Sequence, residues 1–126
     1  MLITFESKKE IEELRKSLEI NAAEKNFGVM GVHDISKTLE NKGFRLDYRC
    51  LILEICSPRF AKQVLEQNPE VSTALPCRIA VYEHQSHRVV ATLSPRAIVE
   101  LFKAPGLYKV AEEVENILKE IMQKSI

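Results

Sequence analysis

Tyr48-Arg49-Cys50-Leu51-Ile52-Leu53-Glu54-Ile55-Cys56 is the stretch from which the architecture is read. Cys50, Leu51, Ile52, Leu53 and Ile55 place apolar groups on both sides of a pleat, the pattern of a strand buried on both faces. Ser57-Pro58 follows at once, a cap residue with proline at the first helical position. Strand therefore passes directly into helix. Phe60, Ala61, Val64 and Leu65 form the buried stripe of that helix, and Pro69 ends it.

Toward the C-terminus, Cys77 to Glu83 and Arg88 to Leu93 read as two strands joined by the polar turn His84-Gln85-Ser86-His87. Ser94-Pro95 repeats the cap-plus-proline signal and opens a helix through Ile98, Leu101 and Phe102. Ala104-Pro105-Gly106 interrupts the chain. A last helix then carries Leu107, Val110, Val114, Ile117, Leu118 and Ile121 on one side.

Toward the N-terminus, Leu2 to Phe5 reads as a first strand. Ser7-Lys8-Lys9-Glu10 has the spacing of a capping box before a helix with the stripe Ile11, Leu14, Leu18 and Ala22. Phe27 to Ile35 reads as a strand whose Gly28 and Gly31 suggest a bulge or a close backbone approach. Ser36 to Lys42 reads as a short helical turn stopped by Gly43.

The order is strand, helix, four strands with a helical excursion between the third and fourth, then helix. Such a chain folds as α+β, an antiparallel sheet with helices on one face, in one domain over residues 1–126. The apolar second face of the central strand then needs a cover. A homodimer through that face is the preferred solution, and a wrapped last helix is the alternative.

Composition agrees with a globular domain: 126 residues, 45% hydrophobic and 29% charged. Eighteen basic and eighteen acidic side chains cancel and are mixed along the chain, so there is no basic stripe for nucleic acid. No run approaches the ~20 apolar residues that cross a bilayer. Met1 to Phe5 shows no secretory leader. Three cysteines, an odd number, make no disulfide framework, and a reducing cytoplasm is the expected compartment.

Cys56 closes the third strand and Cys77 opens the fourth. If these strands are antiparallel neighbours, both thiols sit on one rim, placed for a disulfide, a shared metal or a relayed sulfur atom. If the excursion is a parallel crossover, they lie at opposite ends. Cys56 also precedes a helix start, whose dipole lowers a thiol pKa. Against this, cysteine is often a small core residue. Cys50 reads as packing. Glu54 interrupts the most apolar strand and must find a partner or the surface; it is a candidate base or ligand beside Cys56. His84 and His87 form an H-x-x-H on a turn, which lacks the geometry of a helix-borne metal pair. His33 and Asp34 are adjacent in a strand and point to opposite faces. The chain has no G-x-G-x-x-G, P-loop, G-x-S-x-G or C-x-x-C. No metal ligand set and no cofactor can be named.

Tyr48-Arg49, Cys56-Ser57-Pro58, Asn68-Pro69-Glu70-Val71, Leu75-Pro76-Cys77 and Val81-Tyr82-Glu83 together resemble the signature of the family called domain of unknown function 302. Asn26-Phe27-Gly28-Val29, Asp34-Ile35 and Leu93-Ser94-Pro95 extend the likeness over nearly the whole chain, while Ser57 stands where that family usually has Asn. The resemblance implies a two-layer sandwich of TATA-binding-protein-like β-α-β4-α topology without DNA binding. It favours the arrangement that brings Cys56 and Cys77 together, and some family members accompany sulfur- and thiol-handling genes. Two functions follow as expectations. One is a thiol, sulfur or metal accessory protein using Cys56, Cys77 and Glu54, with a sulfur carrier or small molecule as partner. The other is a non-catalytic dimeric module that binds a small ligand or regulates a partner.

Overall fold

The computed structural model describes residues 1–126. Its elements are β1 (Leu2–Ser7), α1 (Ile11–Glu24), β2 (Gly28–Asp34), α2 (Ile35–Asn41), β3 (Cys50–Cys56), α3 (Pro58–Gln67), β4 (Cys77–His84), β5 (His87–Leu93), α4 (Pro95–Leu101) and α5 (Tyr108–Ser125). Short 3₁₀ turns at Pro69–Ala74 and Pro105–Leu107 follow α3 and α4. The five strands form one antiparallel sheet in the order β1-β5-β4-β3-β2.

The register explains which face is buried. Leu51 lies opposite Val81, Val81 opposite Val90, and Val90 opposite Phe5, one apolar row across four strands. Leu53 opposite Ile79 begins the next row. The stripes of α1 (Ile11, Leu14, Leu18, Ala22) and α5 (Val110, Val114, Leu118, Ile121) share a single core cluster with these strand residues. Phe60 from α3 and Val99 from α4 complete it. The fold is α+β, with a sheet layer and a helical layer.

The other face differs from expectation. Leu51, Leu53 and Ile55 are buried, but Cys50, Ile52, Glu54 and Cys56 are only half-buried. Strand β3 is therefore covered on one face, because all four helices of the core lie on that side. The last helix does not wrap round; it packs between α1 and α4.

Local signals hold except at two caps, Ser7 and Ser57, the latter standing at the N-cap of α3 with no side-chain bond to its helix. Ser94 caps α4 as expected, its Oγ accepting from the Ala97 N–H at 3.2 Å. A bulge does fall between Val29 and Gly31. The capping box at Ser7 does not form. Ser7 pairs with Arg88 as the last residue of β1, which leaves Glu10 at the N-cap of α1. The Ser7 hydroxyl instead accepts from the Lys9 N–H at 3.1 Å. Helix α2 is capped by Asp34, whose carboxylate accepts from the Lys37 N–H at 3.0 Å.

Candidate functional site: an apolar cleft at the sheet end

Strands β3 and β4 are antiparallel neighbours, and Cys77 lies opposite Ile55. Cys56 is one residue further along β3, so both cysteines reach the same end of the sheet. Successive strand residues point to opposite faces. Cys77 accordingly follows Ile79 and Val81 toward the helices, while Cys56 follows Ile52 and Glu54 toward the open face. All three cysteines are free thiols.

At this end the chain forms a cleft of about 140 Å³ between β3–β5, α3, α4 and α5. Sixteen of its twenty-one lining residues are hydrophobic. Phe60, Ala61 and Val64 of α3 form one wall, Ile98 and Val99 of α4 with Val110 and Val114 of α5 the other, and Val71 and Leu75 close one side. Cys77 lines it from the helix side, and Cys56 borders it where β3 ends. The polar side chains are Ser57, Thr92 and Arg78. Thr92 is already engaged, donating from Oγ1 to the Arg78 carbonyl at 2.6 Å.

The chemistry of Cys77 follows from this lining. Burial in an apolar wall disfavours the thiolate, and the neighbouring Cys56 adds to the effect; together they push the thiol up to about 11. At neutral pH Cys77 is a neutral, weakly nucleophilic group. Cys50 is also raised, by burial first and by the charge of Asp34 second. Cys50 is half-buried and lies outside the core cluster.

Glu54 finds its partners on the open sheet face. His33 Nε2 lies 2.8 Å from Glu54 Oε1, and Arg78 Nε lies 3.8 Å from Oε2. Gly31, opposite Glu54, makes the His33 contact possible: a Cβ there would stand 3.3 Å from Glu54 Oε1. His33 and Asp34 do diverge. Asp34 turns to Arg49, whose guanidinium also reaches Glu12, at 3.2 and 3.3 Å respectively. Burial works against the Asp34 carboxylate, but hydrogen bonds from Ser36 and the Lys37 N–H, with the charge of Arg49, outweigh it and lower its pKa. These residues line a broad polar basin at the other end of the sheet, together with Tyr48 and Glu83. Its Arg49 is paired with two carboxylates, and Lys37 and Arg45 line it as well. His84 and His87 face one another across the hairpin with ring centroids 5.4 Å apart. No three His, Cys, Asp or Glu side chains converge to hold a metal ion.

One residue escaped sequence reading altogether. Glu115 is 1% exposed on α5, where it accepts from Ser94 Oγ and from Arg96 Nε and a terminal Arg96 nitrogen at 2.9 and 2.6 Å. This carboxylate ties the start of α4 to the middle of α5 and so holds together one wall of the cleft. Its position next to Val114 in the apolar stripe of α5 was the available signal.

The sequence model of a family described as "Domain of unknown function DUF302" matches residues 3–125. Among solved structures, the chain is similar to one described as an uncharacterized conserved protein DUF302 from Bacillus stearothermophilus. The two are 26% identical and superpose with a TM-score of 0.95, over 99% of this chain and 98% of that one. No curated protein matches. No helix is long and apolar enough to cross a membrane.

Proposed function

Because this chain belongs to the DUF302 family, whose description assigns no activity, we propose from its geometry that it is a non-catalytic module binding a small apolar ligand. The carrying observation is the cleft at the sheet end, with sixteen of twenty-one lining residues hydrophobic. Ligand sites are concave, mainly apolar and marked by a few convergent polar groups. An apolar cavity of ~150 Å³ accepts a molecule of the size of benzene. The raised pKa of Cys77 supports this reading over nucleophilic chemistry, since the thiol there is held neutral.

Thermal unfolding with and without toluene tests it. Toluene is expected to raise the melting temperature of the wild type by mass action. Ala61→Phe, which fills the cleft from α3, should abolish the rise while the protein remains folded. An unchanged wild-type melting temperature at saturating toluene would end the proposal.

The module is also proposed to pair with a second copy through the open sheet face. Along one row of that face Ile52 lies opposite Ala80, Ala80 opposite Ala91, and Ala91 opposite Thr4. The two alanines leave a shallow apolar dish that a flat, self-complementary surface can enter. Directly cross-strand at its edge, Leu2 and Leu93 are 55% and 60% exposed. Three free thiols fit a reducing cytoplasm.

A thiol or sulfur accessory role is the second reading. Cys56 and Cys77 bordering one cleft is the observation that favours it, with Glu54 two residues from Cys56 on the open face.

A further inference from the structure

Ser57 is the polar exception in the cleft. It is 6% exposed and lines the cavity at the N-cap of α3. An N-cap serine ordinarily turns its hydroxyl onto a free N–H of its helix. Ser94 does so at the start of α4, but Ser57 makes no such bond, and its hydroxyl engages no other protein group. That hydroxyl is not one of the side-chain atoms sealed from water without a partner, which are His87 Nε2 and Arg88 Nε, so it is free to donate to whatever enters the cleft.

The start of α3 supplies further unpaired donors. The first N–H groups of an α-helix have no acceptor within it. Proline at position 58 removes one, the Ala61 N–H is taken by the Ser57 carbonyl, and those of Arg59 and Phe60 lie between. Helix α3 runs for ten residues, so its dipole favours an anion at this end. Two arginines, each paired with a carboxylate, lie near this end of the sheet. Arg78 lines the cleft, and the Arg59 guanidinium sits 4.4 Å above the Phe60 ring. Glu54 lies 3.8 Å from Arg78, and Glu113 accepts from Arg59 at 3.4 Å.

Resting on the apolar-ligand reading above, we infer that the ligand is a small apolar monocarboxylate. Its ring or short chain fills the wall between α3, α4 and α5. Its carboxylate takes the place beside Ser57, accepting from the hydroxyl and from the free N–H groups at the start of α3. A neutral hydrocarbon uses the same wall and leaves the Ser57 hydroxyl unpaired.

Amide-resolved titration of the full-length protein with benzoate and with toluene distinguishes the two parts. Benzoate is expected to shift the Arg59 and Phe60 amides, and Ser57→Ala should weaken benzoate about tenfold, as befits a lost hydrogen bond to a charge, while leaving toluene unchanged. Because the Ser57 hydroxyl bonds nothing in the protein, Ser57→Ala should fold, and the wild-type amide shifts stand as a second readout. If toluene binds and benzoate does not, or if Ser57→Ala weakens both equally, the carboxylate place is overturned and the apolar cleft stands. Binding of neither probe overturns both.

Discussion

Glu115 and Arg96, on successive helices nineteen positions apart, are joined by a two-pronged contact at 2.9 and 2.6 Å. The carboxylate is 1% exposed. Burial alone would raise its pKa, but hydrogen bonds from Arg96 and Ser94, the Arg96 N–H and the charge of Arg96 reverse that and hold it at about 2. The clamp joins the start of α4 to α5, both of which line the cleft.

Acid should therefore weaken the fold through Glu115. Its folded pKa lies below the unfolded value of about 4.5, so the unfolded chain takes up the proton first. Stability from this group is complete above that value and is lost as pH falls toward about 2. Glu115→Gln is expected to cost on the order of 2 kcal/mol at neutral pH, allowing for solvent screening at its half-exposed partner. It should also flatten the acid limb of the stability curve. Urea unfolding at a series of pH values checks both, and an acid limb as steep in the variant as in the wild type would refute the clamp.

Cys77 should resist alkylation. With its pKa near 11, native labelling at mildly alkaline pH is expected to be roughly a hundredfold slower than for a free thiol of pKa ~8.5. Mass spectrometry assigns the rate site by site. Labelling at the free-thiol rate in the folded protein would instead move the accessory thiol reading ahead.

Gly31→Ala should push Glu54 off His33. The added Cβ would meet Glu54 Oε1 at 3.3 Å, tight enough that the carboxylate has to give way. The expected cost is about 1 kcal/mol, the size of one hydrogen bond. Reversible chemical denaturation measures it, and a neutral or stabilising substitution would show that the His33–Glu54 contact contributes nothing.

The open sheet face should carry the dimer. Ile52→Lys puts a charge at the β3 end of the apolar row and is expected to shift the protein to monomer at concentrations where the wild type sediments as a dimer. The folded monomer should otherwise be kept, because Ile52 lies outside the main core cluster. A wild type that sediments as a monomer at high concentration removes the dimer from the proposal.

Much of this molecule is decided by local pattern, which the linear sequence carries. Stripes at three- and four-residue spacing place α1 and α5, the cap-plus-proline signals of Ser57-Pro58 and Ser94-Pro95 place α3 and α4, and the two glycines of β2 announce its bulge. These depend on neighbours within a turn or a pleat. Alternation in β3 could establish a strand but not how many of its faces are covered, because that depends on which side the distant helices take. The pairing of β3 with β4 put Cys56 and Cys77 at one end of the sheet but on opposite faces, a matter of register between segments separated by a helix. Partners joined only by packing were invisible for the same reason: Glu54 with His33, and Glu115 with Arg96 and Ser94. The sequence by itself determined the elements and their order. Only the tertiary structure decided which face stays open, where the cleft lies and which polar groups are satisfied, because each rests on contacts between residues far apart in the chain.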